Sequence, residues 1–222
     1  MSKSPQSPSV APSSARVHPT AFVEDRVTLG AGTSVWDNVH IRHDTTIGEE
    51  CIIGEKTYIA YGVSIGNRVK INAFVYICNA VTIEDGVMIS ASTTFTNDRF
   101  PRAASNDLRT LRSSDPDETT LPTIVRRGAT IGAGCTIGND LEIGEFAMVG
   151  MGALVTKSIP PFHLAIGQPA RSIGYVCRCG QILRSISNDA PVRETLKCHE
   201  CALPYEINGG RVRELTPPDV SG

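Results

Sequence analysis

A large apolar residue returns at every sixth position from Val17 to Phe95, and the same spacing resumes from Val125 to Val155. An α-helix would bring like faces together about every seven residues, and a plain strand would do so every two. A period of six therefore indicates one short strand and one corner per repeat. Because such a unit cannot bury its own apolar face, it must stack on copies of itself in a solenoid.

We number each repeat from its large apolar residue, which is place one and is expected to point inward. Place five is smaller or β-branched, and place three is polar or glycine, so a bend should swing place three outward. Glycine recurs at place two, which we interpret as a turn that needs a missing side chain. These glycines are Gly30, Gly48, Gly54, Gly66, Gly132, Gly138, Gly144 and Gly150.

Composition narrows the class of protein further. The chain has 222 residues, is 41% hydrophobic and carries a net charge of -2, so charge gives no case for a nucleic acid or anionic membrane partner. No apolar stretch is long enough for a membrane span. The Ser- and Pro-rich residues 1–16 are expected to be a disordered tail, not a signal peptide. Of the seven cysteines, three are scattered through the repeats and four are grouped near the end, which indicates reduced thiols and a cytoplasmic address.

The regular spacing stops between residues 96 and 122, where charged and polar residues replace it. A long excursion from an otherwise rigid solenoid predicts a binding loop. The alternative is a disordered surface insertion. After Ile159, prolines and a Gly167-Gln168-Pro169-Ala170-Arg171 turn are expected to end the solenoid and cover its open strand edge. The predicted domains are a solenoid over 17–160 with an inserted loop at 96–122, a cap at 161–175, a small module at 176–215 and a tail at 216–222.

The repeat resembles the left-handed parallel β-helix of hexapeptide-repeat acyltransferases, which makes the chain an all-β protein. The resemblance implies that three hexads close one triangular turn, and it alone supplies the handedness. Residues eighteen apart should then lie directly above one another, about 4.8 Å apart. Two outward columns follow. They are Phe22, His40, Tyr58, Tyr76, Thr94 and Asp25, His43, Tyr61, Asn79, Asn97. Such stripes indicate either packing of another chain or aromatic stacking within the sheet.

Several short motifs narrow the resemblance to one group of transferases. They are His18-Pro19-Thr20-Ala21, Trp36 with His40-Ile41-Arg42, Phe95-Thr96-Asn97, Pro101-Arg102-Ala103, Gly128-Ala129-Thr130-Ile131-Gly132-Ala133, Val155-Thr156-Lys157 and Gly167-Gln168-Pro169-Ala170-Arg171. Together they are similar to the N-acetyltransferases that act on a 3-amino uronic acid linked to UDP. The chain departs from that group at Asn72-Ala73-Phe74, Ser90-Ala91-Ser92 and Asp98-Arg99-Phe100. The particular sugar therefore stays open.

The resemblance implies a homotrimer that binds acetyl-CoA in grooves between subunits, toward the C-terminal coils. Small residues there would let the pantetheine arm approach the backbone, and cations would meet the CoA phosphates. The implied cofactor-binding residues are Gly132, Gly134, Gly150, Gly152, Thr156, Lys157 and Arg171. The alternative for Lys157 and Arg171 is that both are ordinary surface charges.

The acceptor implied by the resemblance is an amine on a sugar. Its attack on a thioester needs a neutral nitrogen, a held geometry and a donor for the oxyanion. Asn97 matches the family's asparagine beside the amine, where an amide can orient but cannot act as a base. His40 is the candidate general base because imidazole titrates near neutral pH, but a structural role, or positioning without a base, stays open. Arg102, Asn79 and Tyr76 are the expected substrate-binding residues.

Four cysteines lie in two pairs near the C-terminus, with eighteen residues between the pairs. They are Cys177, Cys179, Cys198 and Cys201. The spacing is close to that of a zinc ribbon, although the first pair is C-x-C and His199 could replace one ligand. Metal would supply folding energy that so short a segment lacks. The alternative is four free thiols.

The sequence therefore favours an acetyl-CoA-dependent N-acetyltransferase that acts on an amino sugar, expected to be nucleotide-linked, in surface polysaccharide synthesis. Two other interpretations stay open. One is O-acyl transfer to a sugar or small alcohol, which would demand a true base, and the other is a non-catalytic β-helix binding subunit. A carbonic anhydrase on the same fold needs three histidines around one zinc, and His18, His40 and His43 are poorly spaced for that.

Overall fold

In a computed structural model of the chain, all regular structure within the described residues is β, as the repeat predicted. The structure describes residues 14–187 and 193–217. Of the tails expected at 1–16 and 216–222, only residues 14–16 and 216–217 lie within these ranges. In the part of the chain that the structure describes, no helix is long and apolar enough to cross a membrane.

Three walls, each a sheet of parallel strands, make up the solenoid. The first wall contains β1 (Arg16–Val17), β4 (Ser34–Val35), β7 (Ile52–Ile53), β10 (Lys70–Ile71), β13 (Met88–Ile89), β16 (Thr130–Ile131), β19 (Met148–Val149) and β21 (His163–Ile166). The second contains β2 (Phe22–Val23), β5 (His40–Ile41), β8 (Tyr58–Ile59), β11 (Tyr76–Ile77), β14 (Thr94–Phe95), β17 (Thr136–Ile137) and β20 (Leu154–Val155). The third contains β3 (Thr28–Leu29), β6 (Thr46–Ile47), β9 (Ser64–Ile65), β12 (Val81–Ile83), β15 (Thr123–Val125) and β18 (Leu141–Ile143).

The register confirms that residues eighteen apart are stacked. Phe22 pairs with His40, which pairs with Tyr58, which pairs with Tyr76 in the second wall. Thr94 then pairs directly with Thr136 across the inserted loop. The loop therefore leaves the solenoid and returns without disturbing the stack.

The core is formed by the large apolar residues at place one. Ile41, Ile77 and Ile131 are all 0% exposed. Threonines at place five are also buried, and their hydroxyls donate to corner carbonyls, as Thr33 Oγ1 does to the Gly48 oxygen at 2.7 Å. The polar atoms of this narrow core are thereby satisfied.

The corners correct our interpretation of the place-two glycines. The left-handed backbone lies at place four, for example at Gly32 with φ 75° and Asp44 with φ 59°. Glycine at place two is needed because the next coil approaches too closely for a side chain. A Cβ on Gly54 would lie 2.6 Å from the carbonyl carbon of Asn72.

The first wall continues beyond residue 160 before the chain turns back. β22 (Arg171–Val176) and β23 (Ile182–Ser185) add to it in antiparallel orientation. A separate antiparallel sheet follows, made of β24 (Arg193–Lys197), β25 (Pro204–Asn208) and β26 (Arg211–Glu214). Phe162, Cys177, Cys198 and Tyr205 form one buried cluster between this sheet and the last coil.

Candidate functional site

A cleft of about 430 Å³ lies between the inserted loop and one corner of the solenoid. The loop folds back on itself through antiparallel bridges that join Asp98 to Thr120 and Ala104 to Leu111. The side chains that border the cleft are aromatic, amide, hydroxyl and charged. They include Tyr58, Tyr61, Tyr76, Cys78, Asn79 and Asn97 from the coils and Asp98, Phe100, Arg102, Arg112, Ser113, Asp115 and Asp117 from the loop.

The cleft brings together four of the predicted site residues. Tyr76, Asn79 and Asn97 come from the coils, and Arg102 comes from the loop. Column counting found the first three, because each is eighteen residues from another member of its column. It could not find the partners that the loop supplies, because no period governs how the loop returns.

His40, the predicted base, does not border this cleft. Its Nε2 lies 2.9 Å from Glu24 Oε1, and the Arg42 guanidinium lies 2.6 Å from the same oxygen. Glu24 Oε2 also accepts from the His43 backbone N–H at 3.0 Å. Partial burial would raise the pKa of Glu24, but these donors outweigh it and lower that pKa to about 2. One chain therefore does not bring His40 and Asn97 together.

The aromatic column beside the cleft is stacked within the chain. The Phe22 and His40 rings are 4.9 Å apart, and the Tyr58 and Tyr76 rings are 5.3 Å apart and nearly parallel. Stacking, one of the two predicted explanations for this stripe, is therefore present. Tyr76 nevertheless keeps 44% of its surface exposed and borders the cleft.

Two titratable groups inside the cleft are held neutral. Burial raises the pKa of the Cys78 thiol to about 12, and the nearby Asp98 carboxylate adds to that rise. Burial also raises the pKa of Tyr76, again with contributions from Cys78 and Asp98. Cys78 is therefore a protonated thiol at neutral pH and a poor nucleophile. Asp98 was not among the predicted site residues, although it directly follows Asn97.

The four glycines assigned to the cofactor fall into two kinds. A Cβ on Gly132 would lie 2.5 Å from the Met151 nitrogen, so that glycine serves the stacking of coils. Gly150 is packed against Ile166 in the same way. Gly134 and Gly152 have φ 68° and 70° and open space beside them. Only these two leave room at the surface.

The three polar residues assigned to the cofactor lie at the C-terminal coils. Thr156, Lys157 and Arg171 are all exposed there. One guanidinium nitrogen of Arg171 donates to the Ala170 carbonyl at 2.7 Å. Both cations are therefore exposed at this edge, and Arg171 is partly held by the backbone.

The four C-terminal cysteines converge. All their Sγ atoms lie within 4.8 Å of one another, with Cys177 and Cys201 at 3.3 Å and Cys179 and Cys198 at 3.6 Å. Desolvation opposes ionisation of Cys198. Hydrogen bonds from the backbone N–H groups of Cys201 and Glu200 outweigh it and lower the pKa of this thiol to about 6. Burial raises the pKa of Cys177 to about 12. A thiolate ligand is thus already favoured at one position.

The six-residue repeat and the three stacked walls define a hexapeptide-repeat β-solenoid. Residues 15–60 and 62–97 match the model of the bacterial transferase hexapeptide (six repeats), and residues 44–79 match the hexapeptide repeat of succinyl-transferase. Residues 15–97 therefore carry the repeats that this family model describes.

Curated relatives share the repeats with this chain. It is 44% identical over 93 residues to a dTDP-3-amino-3,6-dideoxy-alpha-D-galactopyranose 3-N-acetyltransferase of Aneurinibacillus thermoaerophilus, covering 42% of this chain and 45% of that protein. It is 42% identical over 50 residues to the serine acetyltransferase of Escherichia coli K12, covering 22% and 18%. The chain thus spans less than half the length of the curated relatives it matches.

Solved structures resemble the chain more distantly. One is a point mutant of AntD, an N-acyltransferase from Bacillus cereus, in complex with dTDP and coenzyme A. The identity is 18% and the TM-score 0.43, over 74% of this chain and 82% of that one. A likeness of this size supports no argument about the site.

Proposed function

We propose that the protein is an acetyl-CoA-dependent N-acetyltransferase that acts on the amino group of a nucleotide-linked amino sugar in surface polysaccharide synthesis. The observation that carries the proposal is the cleft, which collects Asn97, Asn79, Tyr76 and Arg102 between loop and coils. The similarity to a dTDP-amino-sugar N-acetyltransferase over 93 residues supports it.

The reaction needs little beyond positioning. The neutral amine attacks the thioester carbonyl carbon, so a C–N bond forms and the C–S bond breaks. An amine proton passes to the departing thiolate, and the products are an amide and the CoA thiol. Asn97 orients the amine, and holding the two reactants in line supplies much of the rate. An enzymic base is then optional, which fits the position of His40 outside the cleft.

The substrate's parts match the sides of the cleft. Arg102 and Arg112 suit the diphosphate, because guanidinium groups bind phosphate oxygens in a bidentate manner. Tyr76 and Phe100 offer aromatic faces to a sugar or base ring. Asp98, beside Asn97, can hold the ammonium form of the amine before it loses its proton.

Acetyl-CoA is proposed to lie along the C-terminal coils. The open corners at Gly134 and Gly152 leave room for the pantetheine arm. Lys157 and Arg171 would meet the CoA phosphates at the end of the same edge. Gly132, Gly150 and Thr156 complete the proposed groove, with the two glycines acting through the stacking of its coils.

The working form is proposed to be a cytoplasmic homotrimer. Phe22, Trp36 and Phe74 are 60%, 48% and 54% exposed, which is unusual for large apolar side chains and favours contact with sister chains. A neighbouring copy could also bring its His40 toward the acetyl group. Four close thiols without a disulfide suit a reducing compartment.

The cysteine cluster is proposed to hold a structural zinc ion. Tetrahedral thiolates at about 2.3 Å from zinc lie roughly 3.8 Å from each other, near the separations of the sulfur atoms here. Cys177, Cys179, Cys198 and Cys201 would fill all four positions, so zinc would supply folding energy and no reaction step. This ligand set supports the zinc ribbon expected at 176–215.

Acetyl transfer to a panel of dTDP- and UDP-linked amino sugars, followed by detection of the free CoA thiol, tests the proposed function. We expect turnover with at least one amino sugar and a strong loss of kcat in Asn97→Ala. Mass spectrometry of the product would show an added acetyl group on nitrogen. If every amino sugar fails, the proposal is wrong.

A second candidate is O-acetyl transfer to a small alcohol, which the similarity to serine acetyltransferases favours. That reaction needs a general base, since a hydroxyl proton must be removed during attack. Turnover of serine with a large loss on His40→Ala would establish it instead. A binding subunit without turnover would still gain thermal stability from acetyl-CoA if it binds that ligand.

A further inference from the structure

One corner of the solenoid carries a continuous run of hydrogen bonds that ends at the proposed reaction site. Asn79 Nδ2 donates to the Tyr61 hydroxyl at 3.2 Å, and Asn97 Nδ2 donates to Asn79 Oδ1. Asn139 Nδ2 donates to the Asn97 main-chain oxygen at 2.8 Å. We name Tyr61, Asn79, Asn97 and Asn139 the corner ladder. Every amide in it donates toward the preceding coil.

The direction of the hydrogen bonds in the corner ladder fixes the orientation of the Asn97 side-chain amide. Its Nδ2 is committed to Asn79, so its Oδ1 is the atom left to face the cleft. Asn79 is only 8% exposed, and a buried amide of this kind must keep its partners or lose stability. Tyr61 is anchored in turn, because the His43 ring stacks on it at 5.3 Å with an interplanar angle of 9°.

The orientation of Asn97 matters for a reacting amine. An outward oxygen accepts one N–H of the amine and leaves the nitrogen lone pair free to attack. An amide turned by half a rotation would present N–H groups instead, and these would occupy the lone pair. A misdirected nucleophile loses the advantage of a held geometry.

We propose that Tyr61 and Asn79 are positioning residues, which hold the Asn97 amide with its oxygen toward the substrate amine. This inference rests on the proposed function, since it assigns a role within that reaction. It assigns no contact of Tyr61 with the reacting atoms, and it explains why amides occupy place three in consecutive coils at this corner.

The primary test compares kcat and KM in Tyr61→Phe and Asn79→Ala. We expect kcat to fall between about 10-fold and 100-fold in each, with the KM for acetyl-CoA within about twofold of wild type. Asn67→Ala is the matched control. Asn67 is also a place-three amide at a corner and binds the Glu49 N–H at 2.9 Å, but it lies outside the cleft. Its kcat should equal that of wild type.

Asn79→Asp separates positioning from simple support. A carboxylate only accepts, so it should take hydrogen bonds from Asn97 Nδ2 and from the Tyr61 hydroxyl and recover most of the kcat lost in Asn79→Ala. Its negative charge stabilises the ammonium form of the nearby amine, so the pH profile of kcat should move to higher pH. A carboxylate variant as slow as Asn79→Ala, with an unmoved profile, would overturn the proposed orientation.

The outcomes distinguish the corner ladder from the proposed function. If Asn97→Ala has a lowered kcat while Tyr61→Phe keeps kcat within about twofold, the positioning role of the corner ladder is wrong and the proposed function stands. A second readout needs no turnover. The side-chain amide protons of Asn79 and Asn97 should exchange slowly with solvent and become fast in Tyr61→Phe, as measured by NMR. Equal exchange in both proteins would overturn the inference, whatever the substrate.

Discussion

The solenoid and the C-terminal module bury their cores in opposite ways. In the solenoid, equivalent residues such as Ile41, Ile77 and Ile131 each repeat the same contact in a different coil. In the module, the core is one small cluster that contains Phe162, Cys177, Cys198 and Tyr205. A repeating core shares its stabilisation over many equal sites, whereas a small core concentrates it in a few.

Arg178 and His163 both link the two regions. The Arg178 guanidinium lies 4.3 Å above the Phe146 ring of the last coils, and it pairs with both carboxylate oxygens of Glu214 at 2.9 and 2.6 Å. The His163 ring also donates to the Gly210 carbonyl at 2.9 Å. The module therefore packs against one end of the solenoid.

Loss of the proposed zinc ion should give the largest effect. Cys198→Ser would remove one ligand, and a strong chelator would remove the ion itself; in small zinc modules, metal binding contributes about 10–16 kcal/mol to folding. We expect hydrogen exchange in residues 193–214 to become fast while residues 130–155 stay protected. Mass spectrometry of peptides from both ranges, with zinc analysis, measures this.

Cys51→Thr is the control for metal loss. Cys51 is a buried place-five thiol that donates to the Gly66 carbonyl, and the residue stacked on it in the preceding coil is the buried Thr33. The zinc content and the exchange of the module should stay as in wild type. Full protection of 193–214 in Cys198→Ser would mean that the cluster holds no structural metal.

Truncating a core side chain in the solenoid should lower the free energy of unfolding by a smaller amount, and that amount should depend on the coil. Ile77 is 0% exposed in a middle coil, so Ile77→Ala should lower the free energy of unfolding by about 2–5 kcal/mol. Val17 has the same place in the first coil but is 41% exposed, so Val17→Ala should cost below about 1 kcal/mol. Urea unfolding measures both. Equal costs would contradict a core that is buried only between neighbouring coils.

The period of six predicted the strands and their stacking because one physical demand, a buried place one, recurs in every coil. It did not predict which corner residue takes the left-handed backbone. Residues as different as Arg26, Asp44 and Phe74 adopt it at place four, so composition carries no signal there. The true reason for the place-two glycines also needs the neighbouring coil.

The site was predictable only where it follows the columns. Asn79 and Asn97 are eighteen residues apart, so their contact follows from the stacking. Glu24 and His40 are sixteen apart and meet diagonally across a corner, a spacing that column counting does not consider. The position of Arg102 depends on how an aperiodic loop folds back, which no repeat encodes.

The cofactor groove and the cleft should affect different kinetic parameters. Lys157→Ala and Arg171→Ala should each raise the KM for acetyl-CoA by about 3-fold to 10-fold, because each would remove one of the charged phosphate contacts proposed at this exposed edge. Their kcat should change little, in contrast to Asn97→Ala. Initial rates at varied acetyl-CoA measure the split. A loss confined to kcat would remove both residues from the cofactor groove.

The smallest expected effect lies in the first coils, where ion pairs support a less buried core. Glu24 forms an ion pair with Arg42 and accepts hydrogen bonds from the His40 ring and the His43 backbone, and its pKa falls from 4.5 to about 2. A depressed folded-state pKa stabilises the protein above the unfolded value, and the stabilisation is lost as pH falls toward the folded value. Glu24→Gln should therefore lower Tm at neutral pH, and its difference from wild type should shrink between about pH 4.5 and 2. Glu50→Gln is the control, because Glu50 meets Arg68 only at 4.0 Å and is 62% exposed. A Tm difference for Glu24→Gln that does not change with pH would assign its effect to packing instead of charge.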